Sequence, residues 1–167
     1  VRAIAGQFGG GGHKNAAGFT VTEPLEQVRP RIIQLLVDAI EPRSARRQII
    51  ESIVRHASGD IKDFKVSATA SSCSYTPYDE GGVINAAAYR AYLLTSASIA
   101  LEQDAPWKIA ERNLNFVLES QNPDGSWCYA VDGVRTFVDH FHTCFVLKAL
   151  ANIHRLTGHQ GCIDALS

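Results

Sequence analysis

The sequence lacks methionine, has no long apolar run and carries almost no net charge. No stretch approaches the roughly 20 consecutive apolar residues of a membrane-spanning helix, and the first residues lack the apolar run of a signal peptide. The formal net charge of -1 excludes a basic surface over the whole protein, so nucleic acid has only a local site to bind. These absences predict a cytoplasmic protein without a membrane partner.

Cysteine is scarce and scattered along the chain. No two cysteines form a CxxC pair, and this spacing fits reduced thiols in the cytosol better than a disulfide framework. The four cysteines are Cys73, Cys128, Cys144 and Cys162.

Hydrophobic residues make up 46% of the 167 residues, an ordinary globular composition that suffices for one domain or two small ones. VRAIAGQF (1–8) alternates apolar and polar residues and predicts a strand, and AAGFTVT (16–22) predicts a second extended piece. Apolar residues at helical spacing predict a helix from Pro24 to Ile40 that covers the strands. EPRSARRQ (41–48) breaks the pattern with a proline and three arginines, and it predicts a junction.

Beyond this junction the strand signals fade. A helix is expected to end near Gly59, and SATASSCSYTPYDEGG (67–82) is typical of a polar loop. Three further helices are predicted from Ile84 to about Leu101, from Pro106 to about Ser120 and from Asp139 to about Leu156. The expected fold is mainly α, with a small N-terminal α+β segment over residues 1–41 and a helical segment over residues 42–167.

The N-terminal segment contains four consecutive glycines in GGGGHKNAAGF, residues 9–19. Glycines let backbone N–H groups approach an anion, and a following His or Lys adds charge, so the run favours a phosphate site; a flexible turn is the alternative. Together with VRAIAGQF before it and TV after it, this loop resembles the end of the DHH-associated domain of DHH-family phosphoesterases. The resemblance implies a nucleotide or phosphate site formed by Gly10, Gly11, Gly12, His13 and Asn15.

In that family the reacting phosphate sits on a manganese cluster held by Asp and His residues of a separate domain. Nothing in this sequence resembles that domain, so the chain has no predicted metal to activate water or balance phosphate charge. The resemblance therefore implies a module that binds a mononucleotide or short oligonucleotide. Manganese is expected only if another chain supplies the missing domain, and hydrolysis by this chain alone is not expected.

A second motif lies at the end of the helix predicted to finish near Ser120. Phe116, Val117, Gln121, Gly125 and Trp127 are spaced as in the QW motif of triterpene cyclases, and QNPDGSW resembles the turns of alpha/alpha toroids. In such turns the Gln and Trp side chains brace helix ends against the next hairpin. The pattern favours this structural role.

Metal-ligating residue types cluster in VDHFHTCFVLKAL, residues 138–150. On one helix Asp139 and His142 share a face while His140 and Cys144 share another, so the four cannot converge on one ion, and no metal site is predicted. Asp139 also lies at capping-box spacing from Thr136, where a carboxylate in the first turn suits the helix dipole. Asp139 and His142 are the candidate catalytic pair, and the cap is the alternative for Asp139.

The stretches SYTPYDEGGVINAAAYRAYLLT, QNPDGSW and VDHFHTCFVLKALANIHRLTG together resemble part of a six-hairpin, glycosidase-like alpha/alpha toroid, of the kind found beside polysaccharide-biosynthesis genes. The resemblance spans residues 75–158. It implies a cavity in which aromatic rings stack on sugars and carboxylates bond to hydroxyl groups. The implied glycan-binding residues are Tyr75, Tyr78, Asp79, Asp124, Trp127, Tyr129 and His140.

Hydrolysis of a glycoside needs two carboxyl groups at a set separation with unlike pKa values. The candidates are Asp79, Glu80, Asp124, Asp132 and Asp139. For Asp79 the alternative is again a helix cap, because Thr76 and Pro77 precede it as they do at a helix start.

Three hypotheses for the function remain open. The first is a toroid segment that binds or processes a glycan in polysaccharide metabolism without being a complete enzyme. The second is a nucleotide-binding module with a helical extension. The third is a truncated or fused non-enzymatic product, which a first residue of Val1 and the missing methionine also suggest. A partial toroid would leave apolar helix faces uncovered, which favours the third hypothesis, and an oligomer that covers these faces is a further expectation.

Overall fold

A computed structural model describes residues 2–13, 16–40 and 43–167 of the chain. The chain divides into two compact units, Val1–Ile49 and Ile50–Ser167. Helices account for most of the described residues, and the strands form two small antiparallel sheets of two strands each. The prediction of a mainly α fold with a small N-terminal α+β segment is confirmed.

The first unit contains two helices and a short hairpin. Its elements are α1 (Arg2–Gly6), β1 (Gly11–Gly12), β2 (Ala17–Gly18) and α2 (Leu25–Ile40). In the hairpin, Gly11 pairs with Gly18 and Gly12 pairs with Ala17. The helix predicted over residues 24–40 is confirmed, with its first residue one position later than expected.

The strand predicted over residues 1–8 is wrong, because α1 occupies most of that stretch. Ile4 and Ala5 are adjacent in sequence and both are buried, whereas an alternating strand would bury only one of them. The helix ends where the glycines begin: Gly10 N–H donates to the Ala5 carbonyl at 2.9 Å, and Gly9 has a φ of 69°, which glycine adopts at little cost.

Aromatic packing stabilises the first unit on either side of the glycines. Phe8 and Phe19 stack with their ring centroids 4.6 Å apart, and the Arg31 guanidinium of α2 lies over the Phe8 ring at 5.0 Å. Val28 is the buried residue of α2. The hairpin is therefore fixed by side chains that flank it.

The second unit is built mainly from helices. Helix α3 crosses the division between the units and continues into a single π-helical turn, His56–Asp60. The elements from α3 onward are α3 (Arg43–Arg55), β3 (Asp63–Lys65), β4 (Ser71–Cys73), α4 (Ile84–Leu101), α5 (Asp104–Glu119), α6 (His140–Thr157) and α7 (Gln160–Asp164). The three helices predicted after residue 82 are confirmed to within two residues at each end.

The loop predicted over residues 67–82 contains a strand, β4, which pairs with β3. Its residues Ser71, Ser72 and Cys73 have small side chains that resemble a loop in sequence but are all buried. Bonds from α5 hold the strand in place: Asn113 Nδ2 donates to the Ser71 carbonyl at 2.8 Å, and Arg112 Nε donates to Ser71 Oγ at 3.0 Å. Strand pairing here depends on a distant helix.

The core of the second unit lies where α4 packs between α5 and α6. Small residues of α4 allow close packing against the larger residues of its neighbours, and removing this apolar surface from water stabilises the unit. The main core residues are Ile84, Ala87, Ala91, Leu114, Phe116, Val117, Trp127, Val146, Leu150 and Ile153.

Two further observations concern membrane-spanning helices and the cysteine thiols. None of the helices in the described ranges is long and apolar enough to cross a membrane. All four cysteines are free thiols, and burial raises the pKa of Cys73 and of Cys162 to about 11, so both stay protonated at neutral pH.

Candidate functional site

A polar cleft of about 580 Å³ opens in the second unit, where the turn after β4 faces the loop before α6. Backbone bonds join its two sides: Val131 N–H donates to the Gly82 carbonyl at 3.0 Å, and Ile84 N–H donates to the Tyr129 carbonyl at 3.1 Å. We call this the carboxylate cleft. It is lined by Ser72, Tyr75, Thr76, Asp79, Glu80, Gly81, Gly82, Val83, Tyr129, Val131, Asp132 and Arg135.

Asp79 organises the first wall of the cleft. Its Oδ1 accepts from Tyr75 N at 2.8 Å and Gly81 N at 2.9 Å, and its Oδ2 accepts from Thr76 N and from Thr76 Oγ1 at 2.8 Å. Burial raises the pKa of Asp79, but these four hydrogen bonds have the larger opposite effect, and the pKa falls to about 2. The carboxylate is ionised at neutral pH.

The alternative for Asp79, that it caps a helix, is wrong. Asp79 closes a turn, and α4 does not begin until Ile84. The physical reason lies in the two intervening glycines, since Gly81 and Gly82 have φ of 81° and 84° and so leave the right-handed helical region.

Asp132 and Arg135 form the opposite wall. Asp132 Oδ1 accepts from the backbone of Val134 at 2.9 Å and of Arg135 at 2.7 Å, and its Oδ2 lies 2.6 Å from Arg135 Nε. These bonds, led by the backbone bond from Arg135, lower the pKa of Asp132 to about 2. Sequence reasoning missed Arg135, although its spacing of three residues from Asp132 is a signal for a local ion pair.

The tyrosines predicted to bind a glycan differ in how much of their rings is available. Tyr75 lines the cleft and is 58% exposed, while Tyr78 in the same turn is 92% exposed and does not line it. Tyr129 lines the cleft, but its ring stacks on Phe137 at 5.0 Å and lies under the Arg135 guanidinium at 5.4 Å. Tyr75 is therefore the cleft tyrosine whose ring face is open to a ligand.

Trp127 is buried, which argues against its predicted role as a glycan-binding residue. Its side chain is 2% exposed, and Nε1 donates to the Val117 carbonyl at 2.9 Å. Gln121 Nε2 donates to the carbonyls of Gly125 at 3.0 Å and Ala165 at 2.9 Å. Both residues hold the end of α5 against the next turn, which is the structural role that the sequence pattern favoured.

Asp139 is the N-cap of α6. Its Oδ1 accepts from His142 N at 2.8 Å, and its Oδ2 lies 2.6 Å from His142 Nδ1. The helix cap given as the alternative for Asp139 is confirmed. The capping box with Thr136 is not formed, because the helix begins at His140 and the Asp139 carboxylate itself bonds to the exposed N–H. The backbone and side-chain bonds from His142 lower the pKa of Asp139.

The proposed catalytic pair Asp139 and His142 does not line the cleft. The His142 ring is packed edge-on against aromatic rings, with centroids 4.6 Å from Tyr129 and 5.2 Å from Phe141. His140 is exposed on the surface of the helix. Tyr129 contacts the His142 ring and also lines the cleft.

Asp124 belongs to another part of the molecule. Its Oδ1 accepts from Ser126 Oγ at 2.7 Å and Ser126 N at 3.0 Å, which lowers its pKa, and it borders a separate hollow together with Gln121 and Asp164. The structure thus brings Tyr75, Asp79 and Tyr129 together, and it separates Tyr78, Asp124, Trp127 and His140 from them.

The glycine loop is folded as a hairpin. Gly10 and His13 use their N–H groups internally, with His13 N–H donating to the Ala16 carbonyl at 2.7 Å, and a side chain at Gly12 would meet that same carbonyl at 2.5 Å. A side chain at Gly10 would likewise meet the Gly18 carbonyl, so close packing of the strands explains why glycine occupies positions 10 and 12. Gly11 has open space around it, His13 is exposed, and Asn15 lies outside the described residues.

The carboxylate cleft has the side chains to bind a ligand through hydrogen bonds. A general acid for glycoside hydrolysis needs a carboxyl group with a raised pKa, whereas the pKa values of Asp79 and Asp132 both fall to about 2. The four bonds to Asp79 also occupy both oxygens from the protein side. Glu80 is exposed and lines the cleft, and no hydrogen bond within the described residues engages its carboxylate, so it can bond to a ligand hydroxyl.

Comparisons with protein-family models, with curated proteins and with solved structures find no match to this chain. In the described ranges, no group of three or more His, Cys, Asp or Glu residues is placed to hold a metal ion.

Proposed function

We propose that the second unit binds a glycan in the carboxylate cleft, as a carbohydrate-binding segment of polysaccharide metabolism. The observation that carries this proposal is the open ring of Tyr75 beside the exposed carboxylate of Glu80 in one cavity. Sugars are bound in this way, with the apolar face of the ring stacked on an aromatic residue and the hydroxyl groups bonded to polar side chains.

The charge of the cleft narrows the class of sugar. Three carboxylates, Asp79, Glu80 and Asp132, face a single guanidinium, Arg135, so the lining carries a formal excess of two negative charges. Like charges brought together at a binding site are unfavourable. The cleft therefore suits a neutral sugar or an amino sugar and disfavours a uronic acid or a phosphate.

The first test is a calorimetric titration of the protein with a panel of methyl glycosides of neutral sugars, amino sugars and uronic acids. Replacing Tyr75 by Ala should weaken binding about fivefold, because stacking on an aromatic ring contributes on the order of 1 kcal/mol. Tyr78→Ala is the matched control, since Tyr78 lies in the same turn but outside the cleft, and it should keep the wild-type affinity.

Either of two results would overturn the proposal. One is the absence of binding by any member of the panel, and the other is equal affinity in wild type and in Tyr75→Ala. Titration with AMP plus manganese is a separate arm for the glycine loop. Binding of AMP that is lost in His13→Ala, without binding of sugars, would replace the glycan by a nucleotide.

A further inference from the structure

Two cavities of unlike character adjoin in the second unit, and Tyr75 lines both of them. The second cavity is an apolar groove of about 820 Å³ along α4 from Asn85 to Ser96. At a rise of 1.5 Å per residue, this part of the helix is about 16 Å long. We call it the α4 groove, and its apolar lining is Ile61, Ala86, Tyr89, Tyr92, Leu93 and Phe145.

Asn85 provides an independent observation at the groove. The residue is only 5% exposed, and its Oδ1 has no hydrogen-bond partner among the described residues. Buried polar atoms of folded proteins are nearly always paired, so this acceptor indicates a place for a donor that the chain does not supply. A hydroxyl group of a ligand is such a donor.

Asn85 of the α4 groove is close in the chain to a residue of the carboxylate cleft. Val83 lines the carboxylate cleft, and Asn85, two residues later, lines the α4 groove. Tyr75 is the residue named here that lines both cavities, and Asn85 lines the α4 groove alone. One ligand that crosses from one cavity to the other would place a polar part on one side and an apolar part on the other.

We propose that the ligand is an amphiphilic glycan, a sugar joined to an apolar chain. The sugar lies in the carboxylate cleft, the chain passes over Tyr75 into the α4 groove, and Asn85 Oδ1 accepts a hydrogen bond from a hydroxyl group of the part of the ligand that lies in the groove. This inference rests on the proposed glycan-binding function and names the class of glycan. Because one residue, Tyr75, lines both cavities, a single ligand that passes over its ring is favoured over a protein partner in the groove.

The test uses methyl, butyl, hexyl and octyl glycosides of the sugar that the panel selects, each below its micelle concentration. Each buried methylene should raise the affinity by up to about fourfold, which is on the order of a hundredfold from butyl to octyl. Leu93→Asp should abolish this dependence on chain length and leave the affinity for the methyl glycoside unchanged. Leu93 is 40% exposed, so the charged variant keeps its fold.

Ile99→Asp is the matched control for Leu93→Asp. Ile99 is also an exposed residue of α4, but it does not line the groove, and its variant should keep the full dependence on chain length. Asn85→Leu, which fills nearly the same space without the acceptor, should weaken every member of the series by about tenfold.

The outcomes separate this inference from the function on which it rests. If the methyl glycoside binds but chain length has no effect, or if Leu93→Asp retains the dependence, the inference fails and the glycan site stands. If no sugar binds, both fail. If wild type sediments as a dimer and Leu93→Asp as a monomer, a second copy covers the groove and the inference is overturned.

Discussion

The Arg90 guanidinium forms a two-point ion pair with the Asp63 carboxylate: Nη1 lies 2.7 Å from Oδ1, and Nη2 lies 3.2 Å from Oδ2. The remaining N–H groups of Arg90 donate to the carbonyls of Ala57 and Ile61 and to Asn113 Oδ1. Arg90 is buried in α4, so this single side chain joins the π-helical turn, the β3 strand and α5.

We expect Arg90→Met to destabilise the second unit by about 3–5 kcal/mol, because the substitution leaves several buried acceptors and the Asp63 carboxylate without their donor. Both tryptophans, Trp107 and Trp127, lie in this unit, so tryptophan fluorescence during urea denaturation measures its free energy of unfolding.

Arg135→Met is the matched control for Arg90→Met. Arg135 also pairs with a carboxylate, that of Asp132, but its side chain is 46% exposed, and exposed ion pairs contribute little. The free energy of unfolding should stay close to that of wild type. Equal losses in the two variants would show that burial does not set the contribution of Arg90.

The glycine hairpin yields a second prediction. A side chain at Gly10 would overlap the Gly18 carbonyl and the Phe19 Cβ, whereas one at Gly11 would meet open space. We therefore expect Gly10→Ala to destabilise the hairpin by about 1–3 kcal/mol and Gly11→Ala to leave it nearly unchanged. Hydrogen exchange of the His13 and Ala16 amides, which bond across the hairpin, measures the difference.

This comparison also bears on the nucleotide hypothesis. If Gly11→Ala leaves the hairpin intact but removes AMP binding, Gly11 contacts the ligand and is not needed for packing. Equal destabilisation by both substitutions would contradict the packing explanation of Gly10, since of these two glycines Gly10 has a close neighbour and Gly11 has none.

The third prediction concerns pH. The pKa of Asp79 falls from 3.8 to about 2 on folding, so its hydrogen bonds stabilise the folded state fully above the unfolded value. This stabilisation is lost as the pH falls from about 4 to about 2, when the carboxylate becomes protonated in the folded state. Asp79→Asn should therefore be less stable than wild type at neutral pH, and the difference should vanish near pH 2.

Urea denaturation followed at a series of pH values measures this difference. Thr76→Val serves as an intermediate variant, because it removes the bond from Oγ1 to Asp79 and keeps the carboxylate. The pKa of Asp79 in the folded variant should lie closer to the ordinary value, so the loss of stability on acidification should be smaller than in wild type and should end at a higher pH. Parallel pH profiles for wild type and Asp79→Asn would refute the role given to Asp79.

Features that depend on neighbouring residues were predicted well from the sequence. The apolar spacing over residues 84–101 gave the exact bounds of α4, because a helix satisfies its backbone bonds within itself. The braced turn at Gln121 and Trp127 was also predicted in its structural role, since its bonds span few residues apart from the one to Ala165.

Features that depend on distant contacts were not predicted. The polar serines of β4 predict a loop, whereas pairing with β3 and the bonds from Asn113 and Arg112 of a distant helix explain why this segment is a buried strand. Residues 1–8 predict a strand because apolar and polar residues alternate over this short stretch. A single helical turn with two buried residues can have the same pattern, and the sequence does not distinguish the two.

The candidate site shows the same division. The sequence alone determined that the chain is mainly helical and that aromatic and carboxylate residues follow β4 and precede α6. Only the tertiary structure decided which of them share a cavity: it joined Asp79 to Asp132, buried Trp127 and enclosed the Tyr129 ring. The reason is physical, since local hydrogen bonding is set by neighbours in the chain, whereas the exposure of a side chain is set by whatever packs against it.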